Sequence, residues 1–208
     1  MGYSSFTELI KARKSANNFK EGVEIPKEEF DEIFKLLALQ PSCFNLQHAR
    51  YLVIRDKEMK ELFKDKACPQ YKVHTASAAV LVFGDKMAYK DVEKIYEPMK
   101  QLGMMDEVAY SKVVSDTYNL YEGRGEVFIR DEAIRNASLS AMMFMLIAKD
   151  RGWDTCPMIG FNGDMAKKLF EVPDQFEPAI LITIGKEDPN KKRLRGYRKP
   201  VEEFVKYI

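Results

Sequence analysis

The sequence predicts a single α+β domain, because segments with helical periodicity alternate with short apolar runs that are typical of strands. The length of 208 residues suits one domain with a substantial core. A segment from about Arg130 to Lys149 is apolar nearly all the way round in its middle, from Ala137 to Ala148. Such a helix belongs at the centre of a molecule or in a subunit interface.

The first elements are predicted to be helices. Apolar residues at helical spacing indicate a helix over about residues 4–14, whose inward face also carries Arg13. Pro26 is placed at a first-turn position of a second helix, and Pro41 prevents its continuation. The second helix presents one apolar stripe to the core.

Short apolar runs predict strands at residues 51–54 and 79–83, and the second run is expected to be fully buried. Asp56 is placed to cap a helix between them. Two further strands are predicted at 154–158 and 178–184.

Between the second strand and the long helix, at about residues 86–128, tyrosines are scattered among charged residues without a strand pattern. We expect a helical excursion, or lid, within the one domain that spans residues 1–208. A basic segment punctuated by Gly and Pro follows the last strand at 186–199.

The composition excludes several classes of partner. Lys and Arg total 33 against 32 Asp and Glu, so no global charge favours nucleic acid or a membrane surface. Cys43, Cys68 and Cys156 lack the spacing of a disulfide framework or a zinc site, which favours a reducing cytoplasm and no metal. The most apolar stretch, 137–148, is too short to span a bilayer.

Arg13, Lys14, Ser15 and Asn17 form the first candidate binding segment. A cation on the apolar face of a helix is costly unless a fixed anion neutralises it, and a bound phosphate would do so. Ser15 and Asn17 add the neutral donors and acceptors that a ribityl chain or a pyrimidine edge requires. The alternative is an ordinary helix C-terminus, where cations favour the macrodipole.

Pro41, Ser42, Cys43, Asn45 and Gln47 form the second candidate segment, with carboxamides at alternate positions. Amides both donate and accept, which suits a flat heterocycle rimmed by carbonyls and ring nitrogens. An ordinary Asn-rich loop is the alternative.

The third candidate segment runs from Gly152 to Phe161, where one Gly ends the long helix and Gly160 follows a short strand. Glycines permit close backbone approach to a ring, although a helix-to-strand turn with a buried Trp153 explains the pattern equally well. The fourth is the basic run 191–200, which could bind a phosphomonoester or be a solvated surface.

Several nucleotide-binding and catalytic signatures are missing from the sequence. There is no Gly-x-Gly-x-x-Gly after a strand, no phosphate loop and no Gly-x-Ser-x-Gly. A Rossmann dehydrogenase, a P-loop enzyme and a serine hydrolase are therefore disfavoured.

In order and separation, the four segments resemble the FMN-dependent nitroreductase family over essentially the whole chain. The family's Arg-Arg-Ser-x-Arg segment, which holds the flavin phosphate and pyrimidine, is similar to Arg13, Lys14, Ser15 and Asn17. Its Pro-Ser-Ser-x-Asn-x-Gln segment, which reaches FMN from the partner subunit, is similar to Pro41, Ser42, Cys43, Asn45 and Gln47. Its Pro-x-x-Gly strand, whose backbone faces the flavin ring, is similar to Pro157, Met158, Ile159 and Gly160. Arg198, with Arg195 as a second candidate, resembles the family's phosphate-binding cation.

Three positions depart from the family pattern. Asn17 stands where the family usually has Arg, and Cys43 where Ser is common. Met158 and Ile159 stand where many members have a Glu near the isoalloxazine ring.

The resemblance implies a three-layer α/β/α fold with a central, mostly antiparallel sheet and a long central helix at a dimer interface. It also implies an FMN-dependent enzyme that moves hydride from NADH or NADPH to nitroaromatics, quinones or enones by a ping-pong mechanism. The partner is a second copy of the chain, which shares the active sites. No side-chain acid or base is required, and Lys14 is the expected cation beside the reduced flavin.

Two alternatives remain open on the sequence. One is an FMN-binding sensor or carrier without turnover, whose ring face is blocked by bulky residues of the 86–128 excursion. The other is a phosphate-binding α/β domain without flavin.

Overall fold

The computed structural model describes residues 5–192 and 194–208, and it contains seven α-helices and four β-strands in these ranges. The helices are α1 (Phe6–Ala12), α2 (Lys27–Leu37), α3 (Lys57–Lys66), α4 (Tyr71–Thr75), α5 (Val92–Gln101), α6 (Glu107–Asp150) and α7 (Gly163–Leu169). The strands are β1 (Ala49–Ile54), β2 (Ala78–Asp85), β3 (Asp154–Met158) and β4 (Phe176–Gly185). Residue 4 of the predicted first helix and Arg193 of the basic run lie outside the described residues.

The strands form one sheet in the order β1-β2-β4-β3, and every neighbouring pair is antiparallel. All eight residues of β2 are buried, as the apolar run predicted. Because β2 and β4 are the inner strands, both of their faces need cover, which explains why apolar residues run continuously rather than alternate. The expected antiparallel sheet is confirmed.

Helices cover both faces of this sheet, which confirms the three-layer arrangement. Leu81 and Leu181 point to the face packed by α3, α4 and α7, together with Phe63. Val80 and Ile182 point to the opposite face, which α2 and α6 cover. A strand whose neighbouring residues face opposite sides therefore joins two separate cores.

The long helix begins earlier than the sequence indicated. α6 extends back to Glu107, but it is interrupted at Gly125, whose φ of 75° and ψ of −176° lie outside helical geometry. Only the part after Gly125 corresponds to the helix predicted at 130–149. The part before Gly125 belongs, with α5, to the 86–128 excursion. All the regular secondary structure of this excursion is helical.

A third apolar cluster joins this excursion to the chain just before β1. Tyr121 is buried and stacks on Tyr89, with 5.1 Å between the ring centroids. Leu46 belongs to the same cluster. The loop before β1 is therefore packed beneath the excursion.

Helix α6 approaches the sheet closely at Gly84 in β2. A Cβ atom added there would lie 2.4 Å from the backbone carbon and oxygen of Ala133 in α6. Backbone atoms cannot move aside as a flexible side chain can, so this contact requires glycine.

We predict that Gly84→Ala lowers the free energy of unfolding by about 3 kcal/mol or more, because it forces α6 away from the sheet. Gly123→Ala is the matched control, since an added Cβ there meets no atom within 4 Å. Because alanine favours the helix more than glycine does, this control should have a free energy of unfolding up to about 1 kcal/mol higher than the wild type. Urea unfolding of both variants checks the prediction, and equal midpoints would contradict it.

Candidate functional site

The first predicted segment lies at the β3 edge of the sheet. Helix α1 ends at Ala12, so Arg13 is its half-buried C-cap rather than a residue on its apolar face. The expectation that the helix continues to residue 14 was wrong at that end. Ser15 forms a parallel bridge with Thr155 of β3, and the Ala16 N–H donates to the Thr155 carbonyl over 2.9 Å.

The C-terminal basic run meets this segment. Burial lowers the pKa of Arg13, and the nearby positive charges of Arg195 and Arg198 lower it further. Three guanidinium groups therefore share one region of the surface, where an anion such as a phosphate would relieve their repulsion.

Arg195 and Arg198 differ in how they are held. The Arg195 guanidinium donates to the carbonyls of Lys11 and Arg13 over 2.7 and 2.8 Å, where α1 leaves backbone oxygens without helical partners. Among the described residues, Arg198 donates only to the neighbouring carbonyls of Gly196 and Tyr197. Arg195 is thus a cap for α1 as well as a cation, a contact that the sequence could not reveal.

Lys14 is paired with a carboxylate that the sequence analysis missed. Its Nζ lies 3.1 Å from Glu187 Oε2, and the Glu187 side chain is almost completely buried. The Glu187 N–H donates in turn to Asp154 Oδ2. The charge of Lys14 is therefore offset at short range. Asn17, which follows Lys14 closely in the chain, is half-buried.

The third predicted segment continues along the same edge. Pro157 and Met158 end β3, whereas Ile159 and Gly160 are exposed, with Ile159 83% accessible. An added Cβ at Gly160 would meet the Gln70 amide nitrogen at 2.7 Å. The Gln70 side chain therefore lies against the Gly160 backbone, in the space that a side chain at this position would take.

A second lysine at this edge also escaped the sequence analysis. Lys72 of α4 donates from Nζ to the Cys156 sulfur of β3 over 3.2 Å. In the described residues no carboxylate oxygen lies within 4.0 Å of this ammonium. Nothing in the short segment 68–77 has the pattern of a binding motif, so only the fold reveals this cation.

The second predicted segment is an unusual loop before β1. Phe44, Asn45 and Gln47 all have positive φ values, of 48°, 52° and 53°. Residues with a Cβ seldom adopt this conformation, and a run of them persists only where the surroundings hold it. The side chains of Cys43, Asn45 and Gln47 are exposed, while Leu46 between them is buried. The loop therefore presents its polar side chains outward on a fixed backbone.

Two buried polar residues of α6 hold this backbone. The Cys43 N–H donates to Asn136 Oδ1 over 2.9 Å, and the Asn136 amide donates to the Glu132 carboxylate over 3.0 Å. Glu132 is also paired with Arg135. From the other side, Tyr96 of α5 donates to the Phe44 carbonyl over 3.2 Å. A polar pair at i and i+4 on a buried helix face was the signal that could have identified Glu132 and Asn136.

Within one chain, this loop and the Arg13 segment lie at diagonally opposite corners of the sheet. The loop leads into Ala49, which pairs with Gly84, whereas Ser15 bridges to Thr155 at the end of the sheet occupied by Ala78. Three strand spacings and six residues along a strand separate these corners, a distance of about 25 Å. The structure brings the first, third and fourth segments together at one edge, and it places the second elsewhere.

Ser42 and Pro41 complete the loop, and their contacts are local. The Gln47 N–H donates to the Ser42 hydroxyl over 2.9 Å, which closes the turn. Pro41 is exposed at the end of the connection from α2.

Among the described residues, no group of three or more His, Cys, Asp or Glu side chains could hold a metal ion, and no helix is long and apolar enough to cross a membrane.

A comparison with known proteins identifies the class of this fold and site. The model of the nitroreductase family matches residues 10–186. The chain is 54% identical over 205 residues to MhqN of Bacillus subtilis, a protein provisionally named an NAD(P)H nitroreductase, and the match covers 99% of this chain and 100% of MhqN. The chain belongs to the nitroreductase family.

Solved structures agree with this assignment. A provisionally named nitroreductase from Bacillus subtilis, ydfN, superimposes with a TM-score of 0.95 at 54% identity, covering 98% of both chains. A protein from Exiguobacterium sibiricum, solved in complex with FMN, gives a TM-score of 0.90 at 30% identity over 100% of this chain and 99% of its own. A more distant relative, the CLA biosynthesis enone reductase of Lactiplantibacillus plantarum, is 29% identical over 88% of this chain and 86% of its own length.

One titratable group lies directly behind the loop. His48 is 1% exposed, its Nε2 lies 3.0 Å from the Tyr121 hydroxyl, and its Nδ1 has no hydrogen-bond partner. Burial, with a smaller contribution from Arg50, lowers the pKa of His48 to about 4. Its ordinary value is 6.5, so the folded protein holds a neutral imidazole across the physiological range.

We predict that His48 makes the protein less stable as the pH falls from about 6.5 to about 4. The unfolded chain binds a proton in this window that the folded chain does not, so each pH unit costs about 1.4 kcal/mol and the total is about 3 kcal/mol. Denaturant unfolding at several pH values should show this slope in the wild type and lose it in His48→Gln. His74→Gln, at a half-buried position, should retain it. Parallel profiles for wild type and His48→Gln would rule His48 out.

Proposed function

We propose that this chain is an FMN-dependent oxidoreductase that transfers hydride from NADH or NADPH to small electron-poor acceptors such as nitroaromatics, quinones or enones. The observation that carries the proposal is the convergence of Arg13, Arg195 and Arg198 at the β3 edge of the sheet. Family membership, the FMN complex of one relative and the enone reductase name of another support it.

The donor set at this edge fits FMN. Arg13 and Arg198 would bind the phosphate, with Arg195 as a second contact that also caps α1. Ser15 and Asn17 would contact the ribityl chain and pyrimidine edge with neutral groups. The backbone of Pro157, Met158, Ile159 and Gly160 would face the ring. When bound, FMN supplies the redox chemistry, accepting hydride from the nicotinamide and passing it to the acceptor in ping-pong order.

The remaining role of the protein is to place cations and exclude water. Lys14 was the expected cation beside the ring, and its contact with Glu187 reduces its field there. Lys72 is the better candidate, because its ammonium lies beside β3 with only the Cys156 sulfur as a hydrogen-bond partner in the described structure. Neither lysine needs to transfer a proton, so we assign no catalytic acid or base.

A homodimer follows from the separation of the two halves of the site. Pro41, Ser42, Cys43, Asn45 and Gln47 lie about 25 Å from Arg13 in their own chain. They can contact the same cofactor only if they come from a second copy. In α6, Leu139 and Met142 are 55% and 39% exposed, and they extend the apolar surface outward. The tail at Phe204, Tyr207 and Ile208 is also exposed and would pack on the partner.

We further infer that residues 86–128 form the lid over the substrate and that the enzyme works in the cytoplasm. The excursion packs on the loop that carries Asn45, which would place it beside the partner's flavin. All three cysteines are free thiols, which fits a reducing compartment.

We predict that the purified protein takes up FMN stoichiometrically and that NADH or NADPH bleaches the bound flavin without oxygen, after which a quinone or nitroarene restores its colour. Absorbance spectroscopy measures each step. Bound flavin that no nicotinamide bleaches would indicate a sensor or carrier. Protein that binds no FMN would refute the proposal and leave a phosphate-binding domain without flavin.

We predict that Arg13→Gln weakens FMN binding by about 10- to 100-fold, because one charge-assisted contact to phosphate contributes about 1.5–3 kcal/mol. The matched control is Lys20→Gln, an exposed residue of the same segment, which should bind FMN like the wild type. Flavin fluorescence titration gives both constants. Equal losses in the two variants would mean that only the overall charge matters.

We predict that Leu139→Asp shifts the protein from dimer to monomer and releases FMN with it, because a charge placed in the interface is desolvated without a partner. Leu62→Asp, at an exposed leucine of α3 on the opposite face of the sheet, should leave the dimer intact. Sedimentation velocity at several concentrations measures the assembly. A wild-type monomer that retains FMN would contradict the shared site.

A further inference from the structure

A second polar cavity, of about 420 Å³, contains none of the residues predicted to bind the cofactor. It lies between the segment 21–24, the connection from β1 into α3, and the connection from α4 into β2. Its deepest charged residue is Lys60 of α3, and the mechanism proposed above gives Lys60 no role.

Lys60 is a buried cation without a carboxylate partner. The residue is only 8% exposed, and its Nζ donates to the carbonyl of Ala76, the C-cap of α4. In the described residues no carboxylate oxygen lies within 4.0 Å of Nζ. An ammonium has three donors and a full charge, and a carbonyl satisfies one donor without neutralising the charge. Burial lowers the pKa of Lys60, which is the electrostatic cost of this position.

Two unpartnered hydroxyl groups line the same cavity. Thr75 is 3% exposed, and its Oγ1 has no hydrogen-bond partner. The Ser77 Oγ is likewise buried and unpartnered. A buried hydroxyl without a partner is normally destabilising, so two of them beside an unneutralised ammonium indicate that a polar ligand completes the site.

The nearby carboxylates of Glu61 and Asp56 raise the pKa of Lys60 against the effect of burial, but neither forms an ion pair with it in the described residues. Asp56 uses its carboxylate to cap α3 through the Met59 N–H, and Glu21 accepts a hydrogen bond from Tyr71. Glu24 is exposed and forms no ion pair with another described residue.

The remaining charged or titratable residues that line the cavity are two cations and a histidine. Arg55 and Lys57 are exposed cations, also without ion pairs in the part of the chain that the structure describes. His74 faces Glu61 at 3.6 Å. The rim thus carries three carboxylates and two cations, and the buried Lys60 makes the floor positive.

We propose that this cavity is a binding site for a small organic anion, whose carboxylate or phosphate group contacts the Lys60 ammonium and the Thr75 hydroxyl. The volume accommodates a molecule larger than an inorganic ion, and the exposed Arg55 and Lys57 would contact its outer part. A cationic ligand is disfavoured, because Lys60 would repel it and no carboxylate oxygen of the described residues lies within 4.0 Å of this ammonium.

Isothermal titration of the FMN-loaded protein with inorganic phosphate and, separately, with acetate tests the site. Saturable binding of at least one anion with a dissociation constant on the order of 1 mM is expected. Lys60→Met should weaken it at least tenfold, while Lys66→Met, an exposed lysine of the same helix, should not. An absence of saturable binding of either anion up to about 20 mM would overturn the proposal.

Thr75→Val keeps the test decisive if Lys60→Met does not fold. This variant removes the unpartnered hydroxyl at nearly constant volume, so it should fold with an equal or higher melting temperature and bind the anion several-fold more weakly. Arg13→Gln distinguishes phosphate bound in the cavity from phosphate bound at the cofactor edge. Only binding at the cofactor edge should weaken in this variant. Anion binding that depends on Arg13 and is unaffected by Thr75→Val would also overturn the proposal.

Discussion

The antiparallel pairing of β2 with β4 is the constraint on which the other features depend. Both strands are interior, so their side chains supply one wall of each of the two cores. The pairing also fixes which chain segments emerge at which corner. The loop before β1 and the Arg13 segment beside β3 are kept at opposite corners because two buried strands lie between them. The shared site that we propose between two copies rests on that order, since no local rearrangement of one chain can join the two segments.

The elements that could be predicted from the sequence are those determined by residues close to one another in the chain. The run 79–83 is apolar at every position, and a strand buried on both faces has that pattern wherever it lies. Asp56 caps α3 through the Met59 N–H, because a carboxylate one residue before a helix can reach that donor without help from the rest of the fold. Gly152, with a φ of 82°, ends α6 for an equally local reason.

The contacts that the sequence did not reveal connect distant residues. Arg195 caps α1 from more than 180 residues away, and Glu187 pairs with Lys14 over a similar separation. The basic run predicted cations near a phosphate, but it could not distinguish a residue that caps a helix from one that stays available. The positive φ values of Phe44 and Asn45 were also unpredictable, because neither residue type signals that conformation. They depend on Asn136, whose position is set by the packing of α6.

The polar network around Asn136 explains why the loop can be both strained and well ordered. The Cys43 N–H would have no helical or sheet partner in this conformation, and Asn136 satisfies it from the helix below. Tyr96 donates to the Phe44 carbonyl from the excursion above. The loop is therefore held by α6 on one side and by α5 of the predicted lid on the other. In the shared site that we propose, a change in the position of α5 would move the carboxamides of Asn45 and Gln47 together with the lid. Substrate selection and the partner's contribution to cofactor binding would then both depend on how α5 packs against the loop. The acceptor preference of such an enzyme is therefore set by this packing as well as by the cofactor-binding segments.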